Sequence, residues 1–305
     1  MISIQQIDYI LTLSEELHFQ RASELCYVTQ PTLSMQLKKA EEMLGGKLFD
    51  RSRNPLELTS FGKEMLPIFR DVRNEYERIS NGVQRSKGIY KEQIRLAIIP
   101  TITGYMIPDM YEIWNEELEN VQLTIEEMKT EDLLLALEQK KIDVAILAGP
   151  HLSQRLRTIP LFQEEIKAYY PSRKKTTVTT SDLMSEHPWL LTQGNCLRTQ
   201  MMHFCGLHDE QNEDWDYEGG NMDLLQQMVR SHGGYTLVPS HCIKENSKDY
   251  KTITSENGEV PAREIIALTY NKTEKWGSIE RLIRSVQLKY GSQKQEENLN
   301  ILSWK

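Results

Sequence analysis

Four cysteines punctuate the 305 residues. Two of them, Cys196 and Cys205, lie nine positions apart in a segment that also carries Arg198 and His203, with His208 just beyond. An ionised thiol is a nucleophile and a metal ligand, whereas a buried neutral thiol is only a small apolar group. Thiolate and imidazole together bind zinc, but no Cys-x-x-Cys or His-x-x-x-His pair accompanies these residues, so no metal and no other cofactor is expected. On spacing alone, two such cysteines read as core residues, and so do Cys26 and Cys242. A second chemical set stands near the amino terminus: Gln30, Thr32, Ser34, Gln36 and Lys38, with Arg51 and Arg53 further on. Amide and hydroxyl side chains hydrogen-bond to base edges and phosphates; capping and solvation are their ordinary alternatives.

Bulk properties bound the reading. At ~150 residues per domain the length points to about two domains, and 39% hydrophobic residues are enough for a real core. The first residues lack a basic start followed by an apolar run, so secretion is not expected and a cytoplasmic protein is. No apolar run approaches the ~18 residues that would cross a bilayer. The net charge of −8 does not favour nucleic acid, and residues 1–60 hold six bases against eight acids. Five of those six bases, however, fall between Lys38 and Arg53, and local clustering matters more than the sum.

The elements that must position these groups follow from periodicity. Ile4, Ile7, Ile10, Leu11 and Leu13 mark a first helix, and Phe19–Cys26 a second with Ala22 and Leu25 inward. A third starts near Pro31 and ends at Gly45-Gly46; Thr29 is its expected cap. Asn54-Pro55 marks a turn and Leu56–Leu58 a short strand. A long helix over 60–87 carries Phe61, Met65, Ile68, Phe69, Val72, Tyr76, Ile79 and Val83 as one stripe, suited to a partner helix in a dimer. From Gln93 strands (94–100, 121–126, 144–148) alternate with helices (108–118, 131–140), which predicts an α/β lobe with a largely parallel sheet. A second lobe is expected from strands 188–192 and 235–239 with helix 223–231. Strand 265–270 and helix 279–290 return the chain to the first lobe, and a polar, loose tail follows Gly291.

Ala22-Ser-Glu-Leu-Cys-Tyr-Val-Thr-Gln-Pro-Thr-Leu-Ser34, followed by Leu37–Gly45, Leu48-Phe-Asp-Arg51 and Leu58-Thr-Ser-Phe-Gly62, resembles the LysR-type winged helix-turn-helix. The linker helix and two α/β lobes fit that family too, extending the likeness over nearly the whole chain. The resemblance implies four parts: an α winged helix-turn-helix domain (1–60), a linker and dimerisation helix (61–92), a two-lobed regulatory domain of the periplasmic-binding-protein kind (93–291) and a polar tail (292–305). It also implies a homodimer or homotetramer, with promoter DNA and RNA polymerase as partners. A recognition helix presents its first turns to the major groove, so Gln30, Thr32, Ser34, Gln36 and Lys38 are the expected base and phosphate contacts. Arg51 and Arg53 then belong to the wing.

A second likeness narrows the group. Gly194-Asn-Cys-Leu-Arg-Thr-Gln-Met-Met-His-Phe-Cys205 resembles the redox segment of OxyR-type peroxide sensors; Ile99–Pro108 and Glu127–Leu134 resemble their peroxide-binding segments. Pro160-Leu-Phe162 and Gly233–Pro239 also stand where that likeness requires. By this resemblance Cys196 is the peroxidatic thiol, Cys205 the resolving thiol, and Thr101 and Thr130 hold hydrogen peroxide. A cellular thiol reductant would reset the switch. The group commonly carries His before the first cysteine and Asp after the Leu-Arg pair; Asn195 and Thr199 stand there in this chain, a departure that bears on reaction rate.

Reactivity of Cys196 would need a lowered thiol pKa, for which a helix start at Gly194-Asn195 and the neighbouring Arg198 are the candidates. Nine helical residues span ~13.5 Å and turn the two cysteines to opposite sides, whereas a disulfide needs Cα atoms within about 7 Å. If Cys196–Cys205 is helical when reduced, bonding must dismantle it. Two rivals remain at this level. A regulator of the same family that binds a metabolite between its lobes would keep its response without either thiol. A thiol peroxidase would consume peroxide continuously with reductant, and no such enzyme is expected here.

Overall fold

The computed structural model describes residues 1–53, 55–86, 91–151, 153–192, 194–206, 221–243, 248–291 and 298–302. The expected turn residue Asn54, the end of the long helix at Lys87 and His208 lie outside these residues. The chain divides into two units, Met1–Tyr90 and Lys91–Lys305.

The first unit is built on α1 (Ile4–Glu16), α2 (Phe19–Leu25), α3 (Gln30–Leu44), β1 (Phe49–Asp50), β2 (Glu57–Leu58) and α4 (Ser60–Ser86). Its boundaries have local causes. Ser3 and Gln6 cap α1 reciprocally, and Thr29 accepts from the Thr32 N–H at the start of α3. Gly45, at φ 73°, closes α3 in the left-handed conformation that suits glycine. Ile7, Ile10, Leu13, Ala22, Leu33, Leu37 and Phe49 form the core. Leu25, expected inward, is exposed; Ser23 takes the inward position beside Ala22. Strands β1 and β2 pair antiparallel as the wing, Phe49 opposite Leu58.

The apolar stripe of α4 splits in two. Phe69, with Leu66, is buried among the helices of its own unit, and Phe61 and Met65 pack against that core. Ile68, Val72, Tyr76 and Ile79 are exposed; the side chain of Val83 lies outside the described residues.

The second unit comprises β3 (Glu92–Ile98), α5 (Pro100–Glu117), β4 (Val121–Glu127), α6 (Thr130–Glu138), β5 (Val144–Ala148), β6 (Leu156–Tyr169), β7 (Thr177–Thr179), α7 (Thr180–Met184) and β8 (Pro188–Trp189). It continues with α8 (Cys196–Cys205), α9 (Met222–His232), β9 (Tyr235–Pro239), a 3-10 turn (Ser240–Cys242), β10 (Tyr250–Thr254), β11 (Val260–Tyr270), α10 (Trp276–Tyr290) and β12 (Leu299–Ile301). Two cores mark two lobes. Ile94, Leu96, Ile102, Met106, Leu133, Ile146, Leu268 and Leu282 belong to one; Ile166, Leu183, Leu197, Met201, Leu225, Leu237 and Ile253 to the other.

The sheet is less parallel than the alternating pattern predicts. β3 runs parallel to β4 and β5, but β11 is antiparallel to both β5 and β6. β6 spans both lobes: its first part pairs with β11 and its last residues, Ile166–Tyr169, pair with β9. A 14-residue strand carrying Gln163, Glu164, Glu165 and Lys167 has no clean period, which hides it from pattern reading. Three boundaries also move. α5 begins at Pro100 rather than Pro108, because proline is at home in a first helical turn. β8 stops at Trp189. In the expected loose tail, Leu299–Ile301 add a parallel strand to β11. The segment 171–180 contains β7, which pairs parallel with β10.

Gly62 shows why a small residue ends the wing signature. A Cβ there would stand 2.1 Å from the Leu48 carbonyl oxygen, which accepts from the Thr59 N–H at 3.0 Å. Backbone cannot move aside as a side-chain tip can. Gly62→Ala is therefore expected to lower the unfolding free energy of the first unit by about 1–3 kcal/mol, read by urea titration; an unchanged midpoint would show that the wing can shift without cost.

Candidate functional site

Parallel strands β3 and β4 end side by side, and the chain leaves each to begin a helix. Thr101 therefore falls in the first turn of α5 and Thr130 is the first residue of α6. The Met128 N–H donates to the Ile98 carbonyl at 3.1 Å and ties the two exits together. The carboxyl edge of such a sheet is where open α/β folds hold ligands. From the other lobe, Asn195 caps α8 by accepting from the Leu197 N–H at 3.2 Å, so that Cys196 is its first residue. Cys196 packs within the first lobe's core, although the rest of its helix packs in the second. Three helix amino termini thus carry Thr101, Thr130 and Cys196, and each favours negative charge nearby.

The Thr130 hydroxyl stands beside the Cys196 thiol as a hydrogen-bonding group that favours the thiolate. Cys196 is 5% exposed. Burial pushes this thiol above its ordinary value, while Arg263, Thr130 and the Leu197 amide act against that rise. The lowered thiol pKa that reactivity would need is therefore not found in this state: desolvation outweighs the amides and the cation together. The expected cation also changes. Arg198 donates to the Leu191 carbonyl at 2.7 Å, holding the segment before α8, and the guanidinium that acts on Cys196 is that of Arg263.

Arg263 is fully buried, at 0% exposure. It lies on β11 directly across from Glu164 on β6. Its Nε donates to Glu164 Oε1 at 2.8 Å, its Nη1 to Thr101 Oγ1 at 2.8 Å, and its Nη2 to the Thr101 carbonyl at 3.1 Å. Thr101 Oγ1 accepts there and keeps its own proton to donate. Glu164 accepts also from Tyr105 at 3.0 Å. Burial pushes the Glu164 carboxyl up, but Arg263 and His241 outweigh it and hold it below the ordinary range. In the next turn of α5, Thr103 donates to Glu127 at the end of β4. Sequence reading missed Arg263 and Glu164. Their only signal was charge inside apolar strand segments, Val260–Tyr270 and Leu156–Tyr169.

Cys205, at the far end of α8, lies in the second lobe's core, and burial pushes its thiol up to about 12. All four cysteines are unbridged. Segment Cys196–Cys205 is one unbroken helix here, and the two thiols fall in different cores. His203 between them is exposed. Cys242, which read as structural, packs against the same core as Cys196. Among the described residues no cluster of three or more His, Cys, Asp or Glu is placed to hold a metal ion.

In the first unit, the recognition set lies on α3 and the wing. Gln30 and Lys38 are exposed, Lys38 beside Glu42 at 3.9 Å. Thr32 shares a 2.8 Å hydrogen bond with Thr29, and Gln36 accepts from Gln6 at 3.2 Å. Arg51 donates to Glu41 at 3.0 Å and to Ser34 at 3.4 Å, fastening wing to helix. Arg53 is exposed, 3.9 Å from Asp50. Glu41 also accepts from the Leu48 and Phe49 amides, an anchoring role that sequence did not reveal.

Alkylation of reduced Cys196 with iodoacetamide should have a pH midpoint above that of the same thiol in the urea-unfolded chain. Thr130→Val should raise it further, since a bond that favours the thiolate is lost. A folded-state midpoint at or below the unfolded one would contradict this account of the site.

Residues 4–63 match the bacterial regulatory helix-turn-helix protein, lysR family, and residues 88–287 match the LysR substrate binding domain. A hydrogen peroxide-inducible genes activator of Dickeya chrysanthemi is 31% identical over 248 residues, 80% of this chain and 81% of that protein. The DNA-binding transcriptional dual regulator OxyR of Escherichia coli K12 is 29% identical over 251 residues, 81% and 82% of the two chains. The structure of a full-length OxyR variant from Pseudomonas aeruginosa has a TM-score of 0.74 and 26% identity, covering 97% of this chain and 99% of that one. This chain therefore belongs to the LysR family of bacterial helix-turn-helix regulators, in the branch that contains OxyR.

Proposed function

We propose that this regulator is switched by hydrogen peroxide through Cys196 and Cys205 and acts at promoters of oxidative-stress genes. One observation carries the reading: the Thr130 hydroxyl acts on the Cys196 thiol where Thr101, held by Arg263, stands at a neighbouring helix terminus. Hydrogen peroxide both donates and accepts hydrogen bonds, and two threonine hydroxyls match that requirement. The Cys196 thiolate attacks one peroxide oxygen. The O–O bond breaks, the leaving hydroxide takes up the thiol's proton as water, and Cys196 becomes a sulfenic acid. The Cys205 thiol then displaces the sulfenic hydroxyl as a second water, closing the disulfide. A cellular dithiol returns both sulfurs to thiols.

Helical geometry makes the second step a conformational event. Nine residues of α8 rise ~13.5 Å, and a disulfide brings Cα atoms within about 7 Å. Helix α8 must therefore unwind, drawing Leu197 and Met201 out of the second lobe's core. The oxidised state thereby differs in packing around the lobe, a change large enough to bias an assembly. The exposed apolar row Ile68, Val72, Tyr76 and Ile79 on α4 provides the seam for a second copy. Gln30 and Lys38 on α3 and Arg53 on the wing face solvent, ready for bases and phosphates. RNA polymerase is the partner that promoter control requires, and a cytoplasmic location goes with this reading.

Peptide mapping after a brief, near-stoichiometric peroxide pulse should find one linkage, Cys196 to Cys205. Cys196→Ser should abolish both that linkage and the peroxide-dependent change in a promoter footprint. Scattered oxidation, or an unchanged footprint response in the double serine variant, refutes the proposal. Replacing Ile68 and Val72 together with Glu should convert the oligomer to monomer in sedimentation, with at least a tenfold loss of promoter affinity; a variant that sediments like the parent removes α4 as the seam.

A further inference from the structure

His241 lies beside this machinery, against Glu164. It sits in the 3-10 turn after β9, with 8% of its side chain exposed. The ring stacks on Tyr105 of α5 at 5.5 Å and meets Phe162 of β6 and Tyr290 of α10 edge-on at 5.1 and 5.0 Å. Its Nδ1 is 3.0 Å from Glu164 Oε2. An ionised carboxylate only accepts, so Nδ1 carries the proton. The opposite nitrogen, Nε2, is buried without a partner among the described residues. A bare lone pair among aromatic rings is a lighter burden than an unpaired N–H or a cation.

The two oxygens of Glu164 are thus divided: Oε1 accepts from Arg263 and Tyr105, Oε2 from His241. A carboxylate that shares its charge among three donors pulls less strongly on each. We propose that His241 is a positioning residue: through Glu164 it sets how much of the Arg263 field remains for Thr101 and Cys196. The chain of contacts is continuous, His241 to Glu164 at 3.0 Å, Glu164 to Arg263 at 2.8 Å, and Arg263 to Thr101 at 2.8 Å. The other ionisable groups around the ring are Tyr105, Tyr290, which donates to Asp109 at 3.0 Å, and the adjacent Cys242. Without the imidazole donor, Glu164 would present more negative charge to the site, and the Cys196 thiolate would be harder to form.

The inference rests on Cys196 as the reacting thiol, but its test needs no peroxide. Iodoacetamide labelling of Cys196 in the full chain, read by mass spectrometry between about pH 6 and 11, reports the thiolate directly. His241→Leu, which removes the donor, should move the midpoint up and cut labelling at pH 8 about fivefold, a tenfold change corresponding to one pKa unit. His241→Asn sets an amide N–H near the position of Nδ1 and should restore labelling to within about twofold. Glu164→Gln removes the negative charge and should move the midpoint the other way, below the parent. Equal shifts for the Leu and Asn variants, or a folded Leu variant with the parent profile, overturn the proposal. Should the Leu variant not fold, a Glu164→Gln midpoint at or above the parent overturns it. Failure of peroxide sensing itself would appear separately, as a missing Cys196–Cys205 linkage with these profiles intact.

Discussion

A guanidinium cut off from water must find its counter-charge and hydrogen-bond acceptors inside the fold, and Arg263 finds them in Glu164 and Thr101. Burying such a pair is costly and adds little net stability, but removing either partner strands a charge, at about 3–5 kcal/mol. Every strand that meets this pair is constrained by it. β6 and β11 are locked in register where Arg263 faces Glu164, and the first turn of α5 is pinned through both the hydroxyl and the carbonyl of Thr101. The pair stands where β6 passes from one lobe to the other. One interaction thus orders the hydroxyl, directs the charge and connects the two lobes.

Cys196 is poised by opposing terms. Burial resists the thiolate, while Arg263, the Thr130 hydroxyl and a helix-terminal amide favour it. Burial prevails, and the thiol stands above its ordinary value. Cys205 feels burial alone. Its distance from Cys196 along α8 keeps the pair apart until the helix yields. Helix α8 is short, held by Asn195 at one end and by Gly206, at φ 63°, at the other, so its dissolution sacrifices few backbone bonds.

In the first unit, Glu41 has a similar organising role. It accepts two wing amides and the Arg51 guanidinium, and so orients the wing against α3. Arg51 is tied to that carboxylate, which leaves Gln30, Lys38 and Arg53 as the more exposed polar groups of the surface.

Much was legible in sequence because it is local. Capping by Thr29 and Asn195, the glycine stop at Gly45 and the helical run of Cys196–Cys205 depend on neighbours within a few residues. The resemblance of the segments around Cys196, Thr101 and Thr130 singled out three residues that the fold sets at helix amino termini, although nothing in their spacing relates them. What only the tertiary structure decided is what long-range burial determines. Arg263 and Glu164 are 99 residues apart, and their pairing follows from strand register. The direction in which the Cys196 thiol shifts depends on how much water the two lobes exclude, and no string of neighbours encodes that. Leu25 faces solvent and Leu299–Ile301 form a strand for the same reason: propensity and period describe a segment, while partners brought from far along the chain settle its surroundings.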